Sequence, residues 1–303
     1  MAEVRARRGV VYLDCHGQWG NRLGEYIAAR VAAEALHFGL RTCDILKEEL
    51  TSKGSLFPNV IDLPFEERLL DALPWVSYKG HTYPWEELLA DPTPRVLHFD
   101  GYPFRDYDIF RQYREKIRND WLRPSPDCIV DWHRQRPGPN DIVLHVRAYH
   151  GCGLDSSVVP FLPDSQFVDP PWDYYARILD RYKATGQGWD TLWLTCMCGL
   201  NHNMTQALAQ AYGAKLAPAA EHHADMSDWL FMRDAPRLIM SQSTYAWWAA
   251  WLGNAREVHY PLVGDWWGKN PRHALFPEED RYVFHDLLHD RFFLSRDEIG
   301  IPG

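Results

Sequence analysis

The sequence lacks both a long basic run and an apolar stretch long enough to span a membrane. Its formal net charge is −9, and its one short basic cluster is Arg5, Arg7 and Arg8. The charge pattern of a nucleic-acid-binding protein is therefore absent. An acidic chain can still bind a diphosphate through one or two well-placed arginines, so a nucleotide ligand remains open. Because no signal peptide precedes Val10, we expect a cytoplasmic protein without a membrane span, of a bacterial or viral type.

Cysteines are few, and their spacing favours no zinc or redox motif. The six are Cys15, Cys43, Cys128, Cys152, Cys196 and Cys198. Only the last two are close, and with His202 they form no recognised metal-ligand spacing, because no second ligand pair follows at a suitable distance. We therefore expect no metal, and buried free thiols in a reducing compartment.

What the sequence does contain is material for a large core. Of its 303 residues, 46% are hydrophobic and 14% aromatic, and fourteen are tryptophans. This length fits one large domain or two ordinary ones, and this composition argues against a disordered chain. Tryptophan faces often cover sugar rings, but the count alone favours core packing.

The second half alternates strands with helices. The predicted strands are Ile142–Val146, Thr191–Thr195, a short one near Lys215, Arg237–Met240 and a final one at Glu257–Tyr260. The predicted helices are Trp172–Lys183, Met204–Tyr212, Met226–Arg233 and Thr244–Leu252. Such alternation indicates a parallel sheet with helices on both faces, which binds ligands beyond the carboxyl ends of its strands.

The first half is less regular. We predict strands at Val10–Leu13 and Arg95–Phe99, helices at Asn21–Phe38 and Asp108–Trp121, and loops with short helices over Thr51–Pro94. The turn signal Pro137-Gly138-Pro139 marks the boundary between domains 1–138 and 139–303. The predicted fold is α/β, with two Rossmann-like domains that face a central cleft.

Three segments join a strand to a helix or end a strand with polar residues. The first is the loop from Gly17 to Arg22, with glycines at Gly17 and Gly20. Such a loop lets the backbone approach a ligand, and the helix start favours an anion. A tight strand-to-helix turn is the simpler interpretation of this G-x-x-G spacing.

The second segment is His145-Val146-Arg147, at the end of a predicted buried strand. A guanidinium there can bind a phosphate and neutralise charge on a departing diphosphate. An interdomain salt bridge is the equally weighted alternative.

The third segment is Ser241 to Trp248, in which Ser243 is a natural N-cap and the helix start is an anion site. Its tryptophans Trp247, Trp248 and Trp251 suit a core.

Two further clusters suggest metal binding but fit it poorly. Asp106-Tyr107-Asp108 has the D-x-D pattern, but it lies at a predicted helix start, where carboxylates cap the helix. Glu221 to Asp225 contains two histidines, and no helix or strand register brings its side chains together. We interpret it as a solvated loop.

In this order, the segments resemble the α-1,2-fucosyltransferase family. Gly17 to Arg22 is similar to its G-x-x-G-N-Q opening, with Asn21 matching and Arg22 in place of glutamine. Gly101-Tyr102-Pro103-Phe104 resembles its G-Y-F-Q segment, and His145-Val146-Arg147 its H-x-R-R motif. Ser243 to Leu252 resembles N-S-T-F-S-W-W-x-A-W-L, the most specific match, with Asp228 and Met232 matching the preceding helix.

The resemblance implies a GT-B fold with an acceptor-facing first half and a nucleotide-facing second half. It implies a glycosyltransferase that inverts the anomeric configuration, with a nucleotide-sugar donor, in first place GDP-fucose, and no required metal. Arg147 would contact the diphosphate, and Asn21 would lie near the reacting centre. The expected donor-binding residues are Gly17, Gly20, His145, Asp228, Gln242, Ser243, Thr244 and Tyr245.

Departures from the family pattern leave alternatives open. Ala148 replaces the second arginine of H-x-R-R, His150 replaces the acidic residue that follows, and Thr195-Cys196-Met197 replaces a strand end with an acidic pair. A related xylosyltransferase with a UDP- or GDP-linked donor, or a non-catalytic sugar-nucleotide-binding protein, therefore remains possible. The candidates for a catalytic base are Asp14, His16, His150 and Asp155, and the sequence does not choose among them.

Overall fold

The computed structural model describes residues 7–43, 57–81, 83–103, 108–125, 136–147, 169–218, 224–264, 277 and 279–300. The chain divides into two compact units, unit 1 (Met1–Val130) and unit 2 (Asp131–Gly303). Both are α/β units built on sheets of mainly parallel strands, so the predicted fold class is confirmed at this level.

Unit 1 contains a four-stranded parallel sheet of order β2-β1-β4-β3. Its strands are β1 (Val10–Asp14), β2 (Gly39–Arg41), β3 (Trp75–Gly80) and β4 (Val96–Gly101). Its helices are α1 (Trp19–Leu36), α2 (Leu69–Ala72), α3 (Trp85–Ala90), α4 (Asp108–Arg111) and α5 (Arg114–Lys116), followed by a π-helical turn at Ile117–Trp121. The predicted helix over 108–121 is therefore divided into three short pieces.

Helix α1 packs most of its length into the core because its sequence is rich in alanine and aliphatic residues. It ends earlier than predicted, since His37 adopts a left-handed backbone with φ 56° and ends the helix. Gly39 begins β2 instead of ending α1. A side chain there would collide with Phe65, because an added Cβ would lie 2.5 Å from the Phe65 Cβ.

Two predictions for unit 1 are wrong. Strand β3 lies in the stretch we predicted as loops and short helices; it is an edge strand with an exposed face, so the buried apolar pattern of a core strand is missing. The prediction of free thiols fails for Cys15 and Cys43, which form a disulfide with a Cα–Cα distance of 6.1 Å. In unit 2, Cys198 is also disulfide-bonded, and Cys196 is a buried free thiol.

Unit 2 contains a seven-stranded sheet of order β11-β10-β9-β8-β5-β6-β7. Its strands are β5 (Ile142–His145), β6 (Leu192–Thr195), β7 (Lys215–Leu216), β8 (Arg237–Ile239), β9 (Glu257–Leu262), β10 (Tyr282–Asp286) and β11 (Arg291–Leu294). Only β11 is antiparallel to its neighbour. Its helices are α6 (Trp172–Ala184), α7 (Asn203–Tyr212), α8 (Ala224–Arg233) and α9 (Thr244–Leu252), with 3-10 turns at Gly199–Asn201 and Asp297–Ile299.

The strand order of unit 2 fixes where a ligand site belongs. The chain first forms β5, extends the sheet to one side with β6 and β7, and then returns to the other side with β8, β9 and β10. The carboxyl ends of β5 and β8 therefore meet at a topological switch point, the usual ligand position of such sheets. Our prediction that Glu257–Tyr260 is the final strand is wrong, because β10 and β11 follow it.

Two buried histidines connect β9 to β10. The ring nitrogens His259 Nδ1 and His285 Nε2 are 2.8 Å apart, and His259 Nε2 lies 3.1 Å from Glu257 Oε1. Burial lowers the pKa of His259, and it lowers the pKa of His285 well below its ordinary value of 6.5. Both rings are therefore neutral in the folded protein at neutral pH.

This pair predicts acid sensitivity of unit 2. The unfolded histidines bind protons near their ordinary pKa of 6.5, whereas the folded ones do not. Stability is thus complete above about pH 6.5 and is lost as the pH falls below it. His285→Gln should change the slope of the free energy of unfolding against pH between 7.5 and 5 in urea titrations, so that its stability relative to the wild type rises as the pH falls. An unchanged slope in this variant would contradict the assignment.

Candidate functional site

The switch point of unit 2 brings together two of the three predicted segments. His145 ends β5, and the segment from Met240 to Ser243 leads from β8 into α9. The His145 Nδ1 atom lies 2.7 Å from Ser241 Oγ, and Arg147 Nη1 donates to the Gln242 carbonyl at 2.7 Å. The two segments, almost a hundred residues apart in sequence, thus form one local site.

His145 is a neutral hydrogen-bonding residue. It is buried, and burial followed by the nearby Arg147 charge lowers its pKa to about 3. The Tyr175 hydroxyl donates to the His145 carbonyl at 3.4 Å, which helps to fix the end of β5. Because its ring stays neutral at physiological pH, His145 can orient a ligand but is unsuited to proton transfer.

Arg147 is a cation held largely away from water. Burial lowers its pKa to about 9, and the Asp169 carboxylate opposes this shift. The guanidinium therefore remains charged at neutral pH. Since charge in a low-dielectric environment acts more strongly than charge in water, Arg147 is suited to bind an anionic group.

The start of α9 supplies a second element for anion binding. Ser243 occupies the N-cap position with an extended backbone, and Trp247 N–H donates to its carbonyl at 2.9 Å. The Ser243 side chain makes no capping hydrogen bond, so our expectation of a capping hydroxyl is wrong. The first-turn N–H groups of a helix point beyond its N-terminus and favour an anion there.

Gln242, Thr244 and Tyr245, which we also predicted to bind the donor, lie at this point of unit 2. Gln242 Nε2 donates to the Val263 carbonyl at 3.1 Å and is buried, so its side chain anchors the loop. Thr244 begins α9, and the Tyr245 ring lies 5.9 Å from the His145 ring. Asp228 lies on α8. The pKa of Cys196, which follows β6, is raised mainly by burial and also by the charge of Asp228.

The apolar side of α9 is core. Trp247, Trp248 and Trp251 are fully buried, and the rings of Trp247 and Trp251 stack at 5.5 Å. The helix start can therefore be held rigidly while its first residues serve the site.

In unit 1, the loop from Gly17 into α1 is a tight turn. Gly17 has φ 68°, and an added Cβ there would lie 2.6 Å from Asn21 Nδ2. Asn21 N–H donates to the Gln18 carbonyl at 3.0 Å, and Gly20 is buried within α1. The G-x-x-G spacing thus forms the tight strand-to-helix turn that was its simpler interpretation. A role for Asn21 near a reacting centre stays a prediction.

Two histidine–aspartate pairs cross between the ends of β1 and β4. His16 Nε2 lies 2.8 Å from Asp100 Oδ1, and His98 Nε2 lies 2.7 Å from Asp14 Oδ2. Asp14 and Asp100 are register partners in the parallel ladder. Of the four candidate bases, Asp14 and His16 thus belong to one cluster, whereas His150 and Asp155 lie outside the described residues, as do Ala148, Asp106 and Glu221 to His223.

Sequence reasoning missed Glu25, which lies on α1 behind this cluster. Its side chain is fully buried, and Oε2 accepts the His16 backbone N–H at 2.9 Å. Burial raises its pKa to about 8, although the His16 hydrogen bond and Arg22 oppose the shift. A strongly perturbed carboxyl group beside polar side chains is a common mark of a functional site. In the sequence, Glu25 is one of several charged residues of α1, and nothing there marks it as buried.

Glu25 predicts a stability that falls with rising pH. Its folded pKa of about 8 exceeds the ordinary 4.5, so folding stability is complete below pH 4.5 and is lost as the pH rises toward 8. We expect Glu25→Gln to increase the free energy of unfolding by about 3 kcal/mol at pH 7 and to leave it nearly unchanged at pH 4. Urea unfolding at both pH values measures this.

The matched control for Glu25→Gln is Glu34→Gln, on the same helix, where the carboxylate pairs with Arg30 and Lys116. This change should give no gain at pH 7. Equal effects of Glu25→Gln at the two pH values would show that the Glu25 carboxyl group is not held neutral.

Within the described ranges, no group of three His, Cys, Asp or Glu side chains is placed to hold a metal ion. No helix among those residues combines the length and apolar character that crossing a membrane requires.

Comparisons with known proteins give distant structural similarity. No protein-family model matches the chain, and no curated protein matches it. Among solved structures, a mutant of FUT1 from Arabidopsis thaliana in complex with GDP has a TM-score of 0.49 and 10% identity, over 96% of this chain and 80% of that one. POFUT1 in complex with GDP has a TM-score of 0.46 and 9% identity, over 81% and 94%. Fucosyltransferase NodZ from Bradyrhizobium has a TM-score of 0.46 and 12% identity, over 83% and 95%.

Proposed function

We propose that this protein is a glycosyltransferase that transfers a sugar, in first place L-fucose from GDP-fucose, to a hydroxyl of a glycan acceptor with inversion. One observation carries the proposal. His145, Arg147 and the start of α9 come together at the switch point of the unit 2 sheet, where Arg147 Nη1 lies 2.7 Å from the Gln242 carbonyl oxygen. This is an anion site at the position where sheets of this order bind nucleotides.

The chemistry of a sugar-nucleotide donor suits these groups. When the bond between the anomeric carbon and the diphosphate breaks, negative charge accumulates on the leaving diphosphate. A partly buried guanidinium and a helix N-terminus stabilise that charge in the transition state. The neutral His145 side chain and the Ser243 hydroxyl would orient the phosphate oxygens. In this proposal the reaction needs no metal, residues 139–303 bind the donor, and residues 1–138 bind the acceptor.

Fucose as the donor sugar, and an α-1,2 linkage, rest on the resemblance of three segments: Gly17 to Arg22, His145 to Arg147, and Ser243 to Leu252. A second candidate is the same transfer with a xylose donor. It is favoured by the segment after β6, where the chain has the buried free thiol Cys196 instead of an acidic pair. Burial raises the pKa of this thiol, so the thiol stays neutral. A neutral group there would bind a nucleotide base differently from a carboxylate.

The test is thermal stabilisation by a panel of ligands: GDP, UDP, GMP, GDP-fucose, GDP-xylose and UDP-xylose. Ligands that bind the folded state raise the unfolding temperature by mass action. We expect a larger shift with GDP than with GMP, because the site is built for a diphosphate, and a larger shift with GDP than with UDP, because the proposed donor carries guanine. A shift with UDP compounds alone would replace the donor, and no shift with any ligand would refute the proposal.

A further inference from the structure

The two histidine–aspartate pairs of unit 1 look alike, but they differ in whether the histidine keeps a ring nitrogen that can bind a ligand. Each joins one residue of β1 or its end to one of β4, 84 positions away. His98 uses both ring nitrogens, because Nε2 binds Asp14 and Nδ1 lies 3.1 Å from Ser77 Oγ. His98 is therefore a satisfied structural residue.

His16 is different. Its Nε2–H donates to Asp100, and Nδ1 has no hydrogen-bond partner among the described residues. The His16 side chain is 40% exposed, whereas that of His98 is 19% exposed. The imidazole thus presents one basic nitrogen to whatever binds beside it, and the other nitrogen is fixed.

Asp100 is held ionised. Its second oxygen lies 3.0 Å from Lys79 Nζ, and the Lys79 hydrogen bond followed by that of His16 keeps the pKa of Asp100 below its ordinary value. An ionised carboxylate accepts the Nε2–H, selects the tautomer that leaves Nδ1 bare, and stabilises an imidazolium if Nδ1 takes a proton.

The backbone of His16 is fixed on both sides. Its N–H donates to the buried Glu25 carboxyl group at 2.9 Å, and the preceding residue, Cys15, is bonded to Cys43. An imidazole that accepts a proton from a bound hydroxyl needs such support, because a small displacement of a catalytic group lowers the reaction rate strongly.

The surroundings of His16 suit a sugar. The Tyr102 ring lies 6.4 Å from the His16 ring and stacks on His81 at 5.0 Å, with an interplanar angle of 9°. Aromatic faces beside carboxylates and an ammonium group are the chemistry that recognises a polyhydroxylated ring, since its C–H faces pack on rings and its hydroxyls bind charged groups.

We infer that His16 is the general base that takes the proton from the acceptor hydroxyl, with Asp100 as its positioning residue. This inference rests on the proposed transfer reaction. The acceptor O–H proton moves to His16 Nδ1, the acceptor oxygen forms a bond to the anomeric carbon of the donor, and the bond from that carbon to the diphosphate breaks with its electron pair leaving on oxygen. The acceptor is a sugar hydroxyl bound at the carboxyl edge of the unit 1 sheet.

The experiment compares His16→Gln, His16→Asn and Asp100→Asn with the matched control His98→Gln. Each variant is measured for transfer from the donor that gives the largest thermal shift to a panel of galactose-, glucose- and N-acetylglucosamine-terminated oligosaccharides. Unfolding temperature and the shift with GDP are recorded for each, so that loss of folding or donor binding is seen separately. The second His16 variant serves if the first does not fold.

We expect both His16 variants to lower the kcat of transfer about a hundredfold or more, as the loss of a general base does, with the GDP shift retained. Asp100→Asn should lower kcat with little change in donor KM and move the acidic limb of the kcat–pH profile to lower pH. Among the described residues, the titratable groups around His16 are Asp100 from β4, which is paired with Lys79 from β3, Glu25 from α1, and Tyr102. Lys79, Glu25 and Tyr102 stay in every variant. His98→Gln should stay within a few-fold of the wild type.

Wild-type transfer rates in His16 variants that bind GDP would overturn the inference and leave the proposed function standing. Equal losses in His16→Gln and His98→Gln would also overturn it, because the pairs would then be merely structural. A wild-type protein that binds none of the nucleotides would overturn the proposed function and this inference together.

Discussion

Replacing Arg147 by alanine is expected to lower kcat/KM at least about a hundredfold, because removal of one preorganised charge-stabilising donor usually has an effect of this size. Arg147 is charged and lies at the switch point of unit 2, and its guanidinium already reaches the loop before α9 through the Gln242 carbonyl. The loss should fall mainly on kcat, since charge on the diphosphate is greatest in the transition state.

Arg147→Lys separates charge from geometry. Lysine keeps the charge but loses the planar pair of donors, so we expect an intermediate loss of roughly tenfold. The matched control is Arg177→Ala in the same unit, where the guanidinium is half exposed and pairs with Asp290. This variant should keep wild-type turnover. Near-normal turnover of Arg147→Ala would refute the role assigned to this arginine.

Removing the Cys15–Cys43 disulfide should lower the free energy of unfolding by roughly 3 to 4 kcal/mol. The bond joins residues 28 positions apart, and closing a loop of this length in the unfolded chain accounts for that value in the chain-entropy description. Cys43→Ser tests it by urea unfolding under non-reducing conditions. A single-residue change suffices, because either cysteine alone cannot form the bond.

The control is the double variant Cys15→Ser, Cys43→Ser, which should lose no more stability than either single variant. Mass spectrometry after alkylation should find Cys196 reactive only in the unfolded protein, since it is a buried free thiol. Single variants as stable as the wild type would contradict this account. We also expect Cys43→Ser to reduce transfer, because Cys15 precedes His16 and holds its loop.

Helix α9 shows what the sequence could predict. Its bounds, Thr244–Leu252, match the prediction, because a polar N-cap follows an apolar strand, a glycine follows the last helical residue, and nearly every residue between them is apolar. The same clarity places β5 and β8, so the switch point at which we propose the donor site was within reach of sequence reasoning.

Strands β3, β10 and β11 show where pattern reasoning fails. Strand β3 is an edge strand with one exposed face and a lysine, so it lacks a buried run. Strand β10 ends in His285 and Asp286, which are buried only because they have partners: His259 for the former and the N–H groups of Leu288 and His289 for the latter. Tertiary contacts of this kind overrule local propensity.

The cluster of two histidine–aspartate pairs in unit 1 depends on register. Asp14 and His16 stood among four candidate bases, but their partners on β4 follow from the pairing of Asp14 with Asp100 in the ladder. A one-residue slip would point these side chains to the other face. Neither this register nor the burial of Glu25 behind it can be deduced from one sequence.

The most direct test of the central claim is donor turnover followed by proton nuclear magnetic resonance. The wild type and Arg147→Ala are each incubated with GDP-fucose, GDP-xylose and UDP-xylose, with and without the oligosaccharide panel. We predict that the wild type consumes the donor, seen as loss of its anomeric signal, and releases the nucleoside diphosphate. The variant should consume the donor at least about a hundredfold more slowly. Unchanged donor signals in a protein that GDP stabilises against heat would contradict it and identify a binding protein instead of a transferase.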